Sequence, residues 1–226
     1  AVRVAEQLGA RIAARFTDRL VEGAWEIEGA RRHAGIDACG GPWVLEIDAD
    51  EWVSPELARE IAATVGADSA DFYFLPIANH VHGRWIKGGW MAALAPDWRG
   101  SLFRKGAKTW GMQRVHPAVD FTGRRGEDLK SPLQHNFAAD ISTLMRRFDR
   151  NTTLRAEDMA ATGEIGRTRN MARKAISRFW KCYVARGGIR EGGIGFLISL
   201  LSAIYPLVSH LKATEIAGRQ AQPDVS

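Results

Sequence analysis

The chain has 226 residues, of which 46% are hydrophobic and 25% charged, so it is long enough to bury a sizeable core and is neither disordered nor fibrous. Its formal net charge of +5 favours an anionic partner, which could be nucleic acid, a phospholipid surface or a phosphorylated sugar. The basic residues are scattered and form no recognition-helix or RNP-type pattern. We therefore expect no nucleic-acid partner.

The N-terminal part is predicted to alternate helices and strands. Apolar periodicity predicts a helix over 2–9, a strand over 10–16 and a helix over 27–38. Alternation of this kind is typical of an α/β domain. Two cysteines, Cys39 and Cys182, are too few for a disulfide framework and lack metal-ligand spacing, which favours a reducing, cytoplasmic compartment.

The most informative stretch, at 43–57, reads W-V-L-E-I-D-A-D-E-W-V-S-P-E-L. Apolar residues alternate over its first five positions, which predicts a strand packed on at least one face. Ser54 and Pro55 supply an N-cap and a proline at the first helical position. A helix is therefore predicted from there to about Val65.

Two acids, Asp48 and Asp50, follow this strand directly. Open α/β folds bind ligands at the carboxyl ends of their strands. Mg²⁺ and Mn²⁺ prefer carboxylate oxygens and are commonly held by one or two of them plus substrate phosphates. Asp-Ala-Asp is thus a candidate metal site, although two acids in a loop are about as often only solvated. An EF-hand is excluded because Trp52 and Val53 stand where that loop needs an oxygen ligand and a glycine.

The middle of the chain is predicted to begin with a hairpin and to continue as loops. Residues 71–81 are β-rich and are followed by Gly83, so a turn there would bring back a second arm with Trp85 and Ile86. From 88 to 132 the chain is rich in Gly, Trp and Pro, which indicates loops and small strands around a site.

Two groups of side chains in this middle part suggest binding sites. Trp90 and Trp110 belong to a set of tryptophans whose faces could stack on sugar rings, although each one alone is more often a core residue. His80 and His82 would share one face of a strand and, with His116 and His135, could form a zinc site. The alternative is that His80 and His135 satisfy buried polar groups near strand ends.

The last third is predicted to be helical. A polar amphipathic helix is expected over 140–162 and a basic one over 169–186, followed by a flexible glycine-rich break. Residues 194–211 are then strongly apolar, with a length that is marginal for crossing a bilayer. A helix lying in or against an anionic membrane fits this pattern, and a buried helix packed on the domain is nearly as good an interpretation.

Several of these motifs occur in the same order in one known family. The residues 43–57 resemble the D-x-D region of family 2 inverting glycosyltransferases, in particular the branch that adds sugars to the lipopolysaccharide core, where a W-V-L-x-x-D-A-D-E-W run is typical. The other matching pieces, in chain order, are D-F-Y-F-L-P-I-A-N-H-V at 71–81, G-R-W-I-K-G-G-W at 83–90, Pro96-Asp97, Leu102-Phe103-Arg104-Lys105, Arg114-Val115-His116 and Pro132-Leu133-Gln134-His135.

The resemblance implies a GT-A-like α/β nucleotide-diphospho-sugar transferase domain over 1–138 and a helical extension with a membrane-associating tail over 139–226. The family begins with a β-α-β unit that holds the nucleotide base, and this chain has nothing corresponding to it, so we expect a fragment. A processed true start at residue 1 is the competing interpretation.

The resemblance also implies roles for individual residues. Asp48 and Asp50 would bind Mg²⁺ or Mn²⁺ and the donor diphosphate, and the acceptor loop would include Trp90. A fixed cation aimed at the diphosphate is expected from Arg104, which ends an apolar pair, and more weakly from Arg32. Trp110 is a second candidate for the acceptor groove.

Inverting transfer needs a base that deprotonates the acceptor hydroxyl. The related branch often has Val-His-Glu where this chain reads Val115-His116-Pro117, so the base is left open. The candidates are His116, whose ordinary pKa is suitable, Asp120 and Asp97.

The sequence therefore predicts a cytoplasmic glycosyltransferase, peripheral on the inner face of the cytoplasmic membrane, that uses a nucleotide-sugar donor and a lipid-linked saccharide acceptor. Two alternatives remain. One is a non-enzymatic membrane-surface module, in which the acids would be dispensable. The other is a zinc-dependent hydrolase, in which His80 and His82 would matter and Asp48 would not.

Overall fold

The computed structural model describes residues 28–112, 118–163, 165 and 168–221. The predicted helix over 2–9 and strand over 10–16 lie outside these residues. The described chain divides into two compact units, the first from 28–76 and 98–133, the second from 77–97 and 134–221. The domain boundary near residue 138 that the sequence suggests stays a prediction.

The first unit is a small antiparallel sheet with helices. Its β5 lies between β1 and the first half of β3 and is antiparallel to both. Two of its residues, Leu102 and Phe103, are fully buried. The elements are α1 (Glu28–Ala38), β1 (Trp43–Leu45), β2 (Glu51–Trp52), α2 (Pro55–Ala67), the start of β3 (Phe72–Val81), β5 (Trp98–Arg104), and the hairpin of β6 (Lys108–Trp110) with β7 (Val119–Phe121).

The strand and the capped helix predicted from the stretch 43–57 are both confirmed, and the strand is shorter than predicted. The N-cap Ser54 accepts a hydrogen bond from the Leu57 backbone N–H at 3.2 Å, and Pro55 starts α2. The preceding strand β1 ends at Leu45 instead of Ile47, which is exposed. The Glu46 N–H still donates to the Ser101 carbonyl at 2.8 Å, so the chain stays beside β5 until it reaches the acids.

The second unit combines a hairpin with a helical bundle. The predicted turn is present, because β3 ends at Val81, the chain reverses at His82 and Gly83, and β4 returns antiparallel to β3. The elements are the end of β3, β4 (Arg84–Trp85), β8 (Leu133–Ala138), α3 (Ile141–Thr162), α4 (Thr168–Trp180) with a π-helical turn (Lys181–Ala185), a 3₁₀ turn (Gly188–Glu191), and α5 (Gly192–Ala221).

One apolar core joins the helices of the second unit to its strands. The face of α3 that carries Leu144 and Phe148 packs against Ile198, Leu201 and Tyr205 of α5. These residues recur every three or four positions, as expected where two helices bury matching stripes. The apolar stretch of α5 is therefore partly a core element.

The expectation of a flexible glycine-rich break is wrong in one respect, because α5 already begins at Gly192. A Cβ added to Gly195 would lie 2.0 Å from the Gly188 carbonyl oxygen. Only glycine permits that approach, so Gly195 brings the 3₁₀ turn against the helix instead of loosening the chain. The break itself is limited to Gly187 and the 3₁₀ turn. Strands, helices and a mixed sheet together confirm the predicted α/β class.

Candidate functional site

The carboxylate of Asp48 is held between two arginines at the end of β1. Its Oδ1 lies 2.9 Å from Nη2 of Arg32, and its Oδ2 lies 3.0 Å from Nη1 of Arg99. Arg32 comes from α1 and Arg99 from the start of β5. Because β5 runs antiparallel to β1, with Leu102 opposite Leu45, its first residues meet the end of β1. The sheet register thus brings Arg99 to the acids.

The turn after β1 is fixed by Glu51, whose side chain is 1% exposed. One of its carboxylate oxygens accepts from the Asp48 backbone N–H at 2.7 Å and from Arg99 at 2.5 Å. The Glu51 N–H in turn donates to the Asp48 carbonyl at 3.0 Å. These bonds close a tight turn that contains Asp50, which is half-buried. The acids therefore sit on a rigid turn.

A second layer of charge supports Arg32. Glu46 accepts from Nη1 of Arg32 at 3.1 Å, from Nζ of Lys108 at 3.0 Å and from the indole N–H of Trp110 at 2.9 Å. The guanidinium of Arg32 also lies over the Trp110 ring, 4.7 Å from its centroid. Planar stacking and a fork of donors favour arginine over lysine at such a position. The orientation of Arg32 is thus set from three sides.

The protonation states in this cluster follow from burial and pairing. Burial alone would raise the pKa of Asp48, but the charges of Arg32 and Arg99 outweigh it, and the pKa lies below its ordinary value. Burial lowers the pKa of Lys108 to about 8, against the opposing attraction of Glu46. Asp48 is therefore ionised at neutral pH, and both arginines are cationic.

A cavity of about 510 Å³ opens beside this cluster. It lies between α1 and the segment that leads from β1 to the acids. Its volume is in the range of small-molecule sites, which have a few charged groups among apolar walls. The lining residues are Arg31, Arg32, Gly35, Ile36, Cys39, Val44, Leu45, Glu46, Ile47, Asp48 and Ala49.

This arrangement can bind an anion and a hard cation. Arginines held in place match the oxygens of a phosphate or diphosphate well. Within the described part of the chain, no three His, Cys, Asp or Glu side chains form a metal-binding group. One or two carboxylates with substrate phosphates suit Mg²⁺ or Mn²⁺, whereas a protein-ligated zinc site needs more ligands. Both oxygens of Asp48 bond to arginine, and Asp50 lies in the same turn two residues on.

The two arginines predicted for the donor lie in different places. Arg32 is part of the cluster at Asp48. Arg104 stands opposite Trp43, at the other end of β1, where it lies over the Trp43 ring and pairs with Asp68 and Asp71. The structure therefore does not bring Arg104 to the acids, and its donor role stays a prediction without geometric support.

The two tryptophans predicted for the acceptor are both core residues. Trp90 is 3% exposed, donates its indole N–H to the Ile86 carbonyl at 2.6 Å and meets the edge of Phe137. Trp110 is 8% exposed and supports Glu46 as described above. Their ring faces are covered by protein, which does not suit stacking on a sugar. The acceptor role of both residues stays a prediction that this burial does not favour.

Two of the three candidate bases belong to the described part of the chain. His116 lies outside the described residues. Asp120 is exposed on β7, and Asp97 is exposed in the second unit, 3.9 Å from Arg186. Neither carboxylate is singled out as a base by its described surroundings, so the base stays open.

The histidines proposed for zinc make other contacts. His82 is in the hairpin turn with a φ of 51°, so it does not share a strand face with His80. His80 bonds to the Gln134 side chain at 2.8 Å, and His135 bonds to the buried Asn79 at 2.7 Å. These are the structural roles of satisfied polar side chains.

Sequence reasoning missed Arg99, Glu51, Glu46 and Lys108. Arg99 is the second residue of β5, which lies in a region whose Gly, Trp and Pro content indicated loops and small strands. Glu46 and Glu51 flank the D-x-D acids in the sequence, and charged residues on strands beside a candidate site are the signal that could have found them.

The described residues include one helix, 188–219, that is long and apolar enough to cross a membrane, and 50% of its apolar window is buried. Burial of that extent fits a core helix as well as a membrane helix.

Comparison with known proteins gives a distant relative that covers nearly the whole chain. The chain is similar to the lipopolysaccharide core biosynthesis glycosyltransferase LpsC of Rhizobium meliloti (strain 1021), with 23% identity over 209 residues that cover 92% of this chain and 76% of the relative. No family model matches the chain, and no solved structure does. A distant relative is thus a glycosyltransferase.

Proposed function

We propose that this chain is a family 2 inverting glycosyltransferase that moves a sugar from a nucleotide-diphosphate donor, most naturally a UDP-sugar, to a lipid-linked saccharide, as in lipopolysaccharide core or cell-envelope polysaccharide synthesis. The observation that carries the proposal is the carboxylate of Asp48 held between Arg32 and Arg99 beside a cavity. The similarity to a glycosyltransferase over most of the chain supports the same reaction class.

The donor diphosphate is assigned to the two arginines. Both are largely buried and cationic, and both already bond to a carboxylate, so oxygens of a phosphate group can replace carboxylate oxygens on the same donors. Asp50 is assigned as the direct ligand of Mg²⁺ or Mn²⁺, with Asp48 orienting the arginines. When bound, the cation would offset the charge that develops on the leaving diphosphate.

The transfer step requires a base for the acceptor hydroxyl. His116, Asp120 and Asp97 remain the candidates, in that order. A base on the face opposite the leaving diphosphate would give inversion at the anomeric carbon, because the hydroxyl attacks from the side away from the departing group.

The acceptor and the location follow from the C-terminal helices. A saccharide linked to lipid is presented at a membrane surface, so an enzyme that uses it benefits from binding that surface. We assign the protein to the inner face of the cytoplasmic membrane as a peripheral protein, attached through the helices of the second unit.

The test is calorimetry of UDP binding with and without Mn²⁺, on the unchanged chain and on the Asp50→Asn variant. We expect binding that requires Mn²⁺ and becomes at least about tenfold weaker in the variant, since a charged metal ligand contributes well over 1.4 kcal/mol. Asp128→Asn is the matched control, because Asp128 is an exposed acid of the first unit that pairs with Arg125.

The metal assignment and the diphosphate assignment can each be contradicted separately. Equal binding with and without Mn²⁺, or equal loss in Asp50→Asn and Asp128→Asn, would overturn the metal assignment. If Arg99→Gln leaves UDP affinity unchanged, the diphosphate does not bind at the arginine pair.

A further inference from the structure

We propose that the exposed apolar side chains of α4, the two short turns after it and the start of α5 form one face that docks on an anionic lipid surface, with the helices lying along the bilayer. We call this the aromatic face. Its members are Ile176, Trp180, Val184, Ile189, Phe196 and Leu200.

The aromatic face is unusually exposed for its composition. The exposed fraction of its side chains runs from 36% at Leu200 to 66% at Ile176, with Trp180 at 60%. Single exposed apolar residues are common on proteins, but contiguous groups of large ones mark an interaction site. Here they come from four consecutive elements of the second unit.

Ring contacts connect the part of the aromatic face on α4 with the part on α5. Ile176, Trp180 and Val184 recur at every fourth position, which places them in one row along α4 and the π-helical turn. The ring of Phe179 lies 5.9 Å from that of Trp180 and 5.5 Å from that of Phe196. Phe179 therefore joins the row on α4 to the first turns of α5.

The charge near the aromatic face is mainly positive, and the acid beside it, Glu191 of the 3₁₀ turn, is 13% exposed and pairs with Arg84. From 168 to 190 the sequence contains no Asp or Glu, while Arg173, Lys174, Lys181 and Arg190 are all exposed. Basic side chains beside exposed aromatic and aliphatic residues are the pattern of helices that lie at the interface of anionic membranes. The charge and the apolar surface thus select the same partner.

The opposite side of α5 explains why the helix lies along the membrane instead of crossing it. Ile198, Leu201 and Tyr205 pack into the core with α3, and the buried Ser202 and Ser209 hydroxyls donate to backbone carbonyls. A spanning orientation would remove this core from the protein and expose α3. Half of the apolar stretch is committed to the fold, and Phe196 and Leu200 are the exposed residues of α5 that belong to the aromatic face.

The same charges argue against a second copy of the chain as the occupant. In a two-fold dimer the same patch meets itself, so the basic residues of one copy would face those of the other. Like charges at an interface are unfavourable, whereas phosphate groups of anionic lipids would neutralise them. The lipid surface is therefore the partner that fits both features.

This inference deepens the membrane part of the proposed function and needs no sugar transfer. Its test contains neither donor nor acceptor, so a failure of vesicle binding leaves UDP binding intact, and the reverse also holds.

The experiment is flotation of the full chain with vesicles of phosphatidylcholine alone and of phosphatidylcholine mixed with phosphatidylglycerol. We expect binding mainly to the mixed vesicles, reversed by high salt. The double variant Ile176→Ser with Trp180→Ser should bind at least about tenfold more weakly, because both side chains lose apolar burial. Met145→Ser, which changes an exposed apolar residue of α3, should bind as the unchanged chain does.

A charge variant tests the same face without altering its apolar surface. Arg173→Gln with Lys174→Gln should weaken binding to the mixed vesicles by about fivefold for each charge, and hardly change it on phosphatidylcholine. Arg59→Gln, at an exposed position of α2, is the control for net charge. Unchanged thermal unfolding of each variant shows that folding is retained.

Four results would overturn the inference. They are equal binding to both vesicle types, unchanged binding in both the apolar and the charge variant, resistance of bound protein to alkaline carbonate extraction, which marks a spanning helix, and concentration-dependent dimerisation that is lost in the apolar variant.

Discussion

The two units of this protein depart from the usual rule of surface and core in opposite ways. The first unit buries charge, since Arg99, Glu51 and Lys108 have side chains that are at most 15% exposed. The second unit exposes apolar side chains along the aromatic face. Both arrangements lower stability relative to ordinary packing, because buried ions lose hydration and exposed apolar groups remain in water. A local loss of stability of this kind is typical of functional sites.

The difference also predicts how each region responds to mutation. Every member of the charged cluster has two or more hydrogen-bond or ion-pair partners, so the cluster is over-determined. Removing one side chain therefore leaves other buried charges without a partner. The aromatic face has few internal dependencies, so its exposed members can be changed with little cost to folding. Four measurements of stability test this contrast.

The largest effect is expected for Arg99→Ala. The change leaves the Glu51 carboxylate buried without its cation, which costs roughly 3–5 kcal/mol in the free energy of unfolding. Urea unfolding measures it. The matched control is Arg59→Ala, whose exposed pair with Glu56 contributes about 0–1 kcal/mol. A loss below about 1 kcal/mol for Arg99→Ala would mean that the cluster is not over-determined.

The second-largest effect is expected in α5, where substitutions on the buried side should cost more stability than substitutions on the exposed side. Ile198→Ala removes a fully buried side chain from the core with α3 and should cost about 2–5 kcal/mol. Leu200→Ala, two residues further on the aromatic face, should cost less than about 1 kcal/mol. Chemical denaturation of both variants gives the comparison. Similar losses would show that the aromatic face is part of the core.

Alanine substitutions at two glycines of α5 should change stability by smaller amounts and in opposite directions. Gly195→Ala forces a Cβ against the Gly188 carbonyl oxygen and should destabilise by about 1–3 kcal/mol. Gly193→Ala meets nothing within 4 Å and should stabilise the helix by about 0.5 kcal/mol. Melting temperatures of the two variants decide between them. If both glycines tolerate alanine, the 3₁₀ turn does not depend on the close approach.

The fourth effect is a pH dependence from Lys108, stated per pH unit. Its pKa is about 8 in the folded protein against an ordinary value of 10.5, so between these values the unfolded chain keeps a proton that the folded one has released. Stability should therefore rise with pH through this window, by at most about 1.4 kcal/mol per pH unit. Lys108→Met should remove that part of the rise in urea midpoints measured across the window. An unchanged slope would place the titration on another group.

Local patterns in the sequence predicted many of the elements. The N-cap at Ser54, the hairpin turn at Gly83 and the start of α3 at Ile141 each depend on residues a few positions apart, and all are found. The sequence missed β5 as a central strand. Its Gly100 and Ser101 interrupt the apolar pattern, and burial by β1 and β3 on either side, not local propensity, keeps it extended.

The residues of the candidate site also divide into those that a local pattern indicates and those that only contacts between distant elements bring together. Asp48, Asp50 and Arg32 were candidates from the sequence, the acids because two of them after a β pattern form a local signal, and the structure places Arg32 beside Asp48. Arg99 joins Asp48 across fifty residues through the register of an antiparallel pair, and no local pattern reports such a contact. Burial of Trp90 and Trp110 could not be read from the sequence either, and their acceptor role stays a prediction that this burial does not favour.

The sequence by itself determined the α/β class, the acid pair and the basic, apolar character of the last third. Only the tertiary structure decided which side of α5 is core and which is the aromatic face, and which arginines meet the acids. The physical reason is that propensity, capping and composition act between neighbours in the chain, whereas burial and ion pairing depend on strands and helices that are distant in sequence and meet only in the fold.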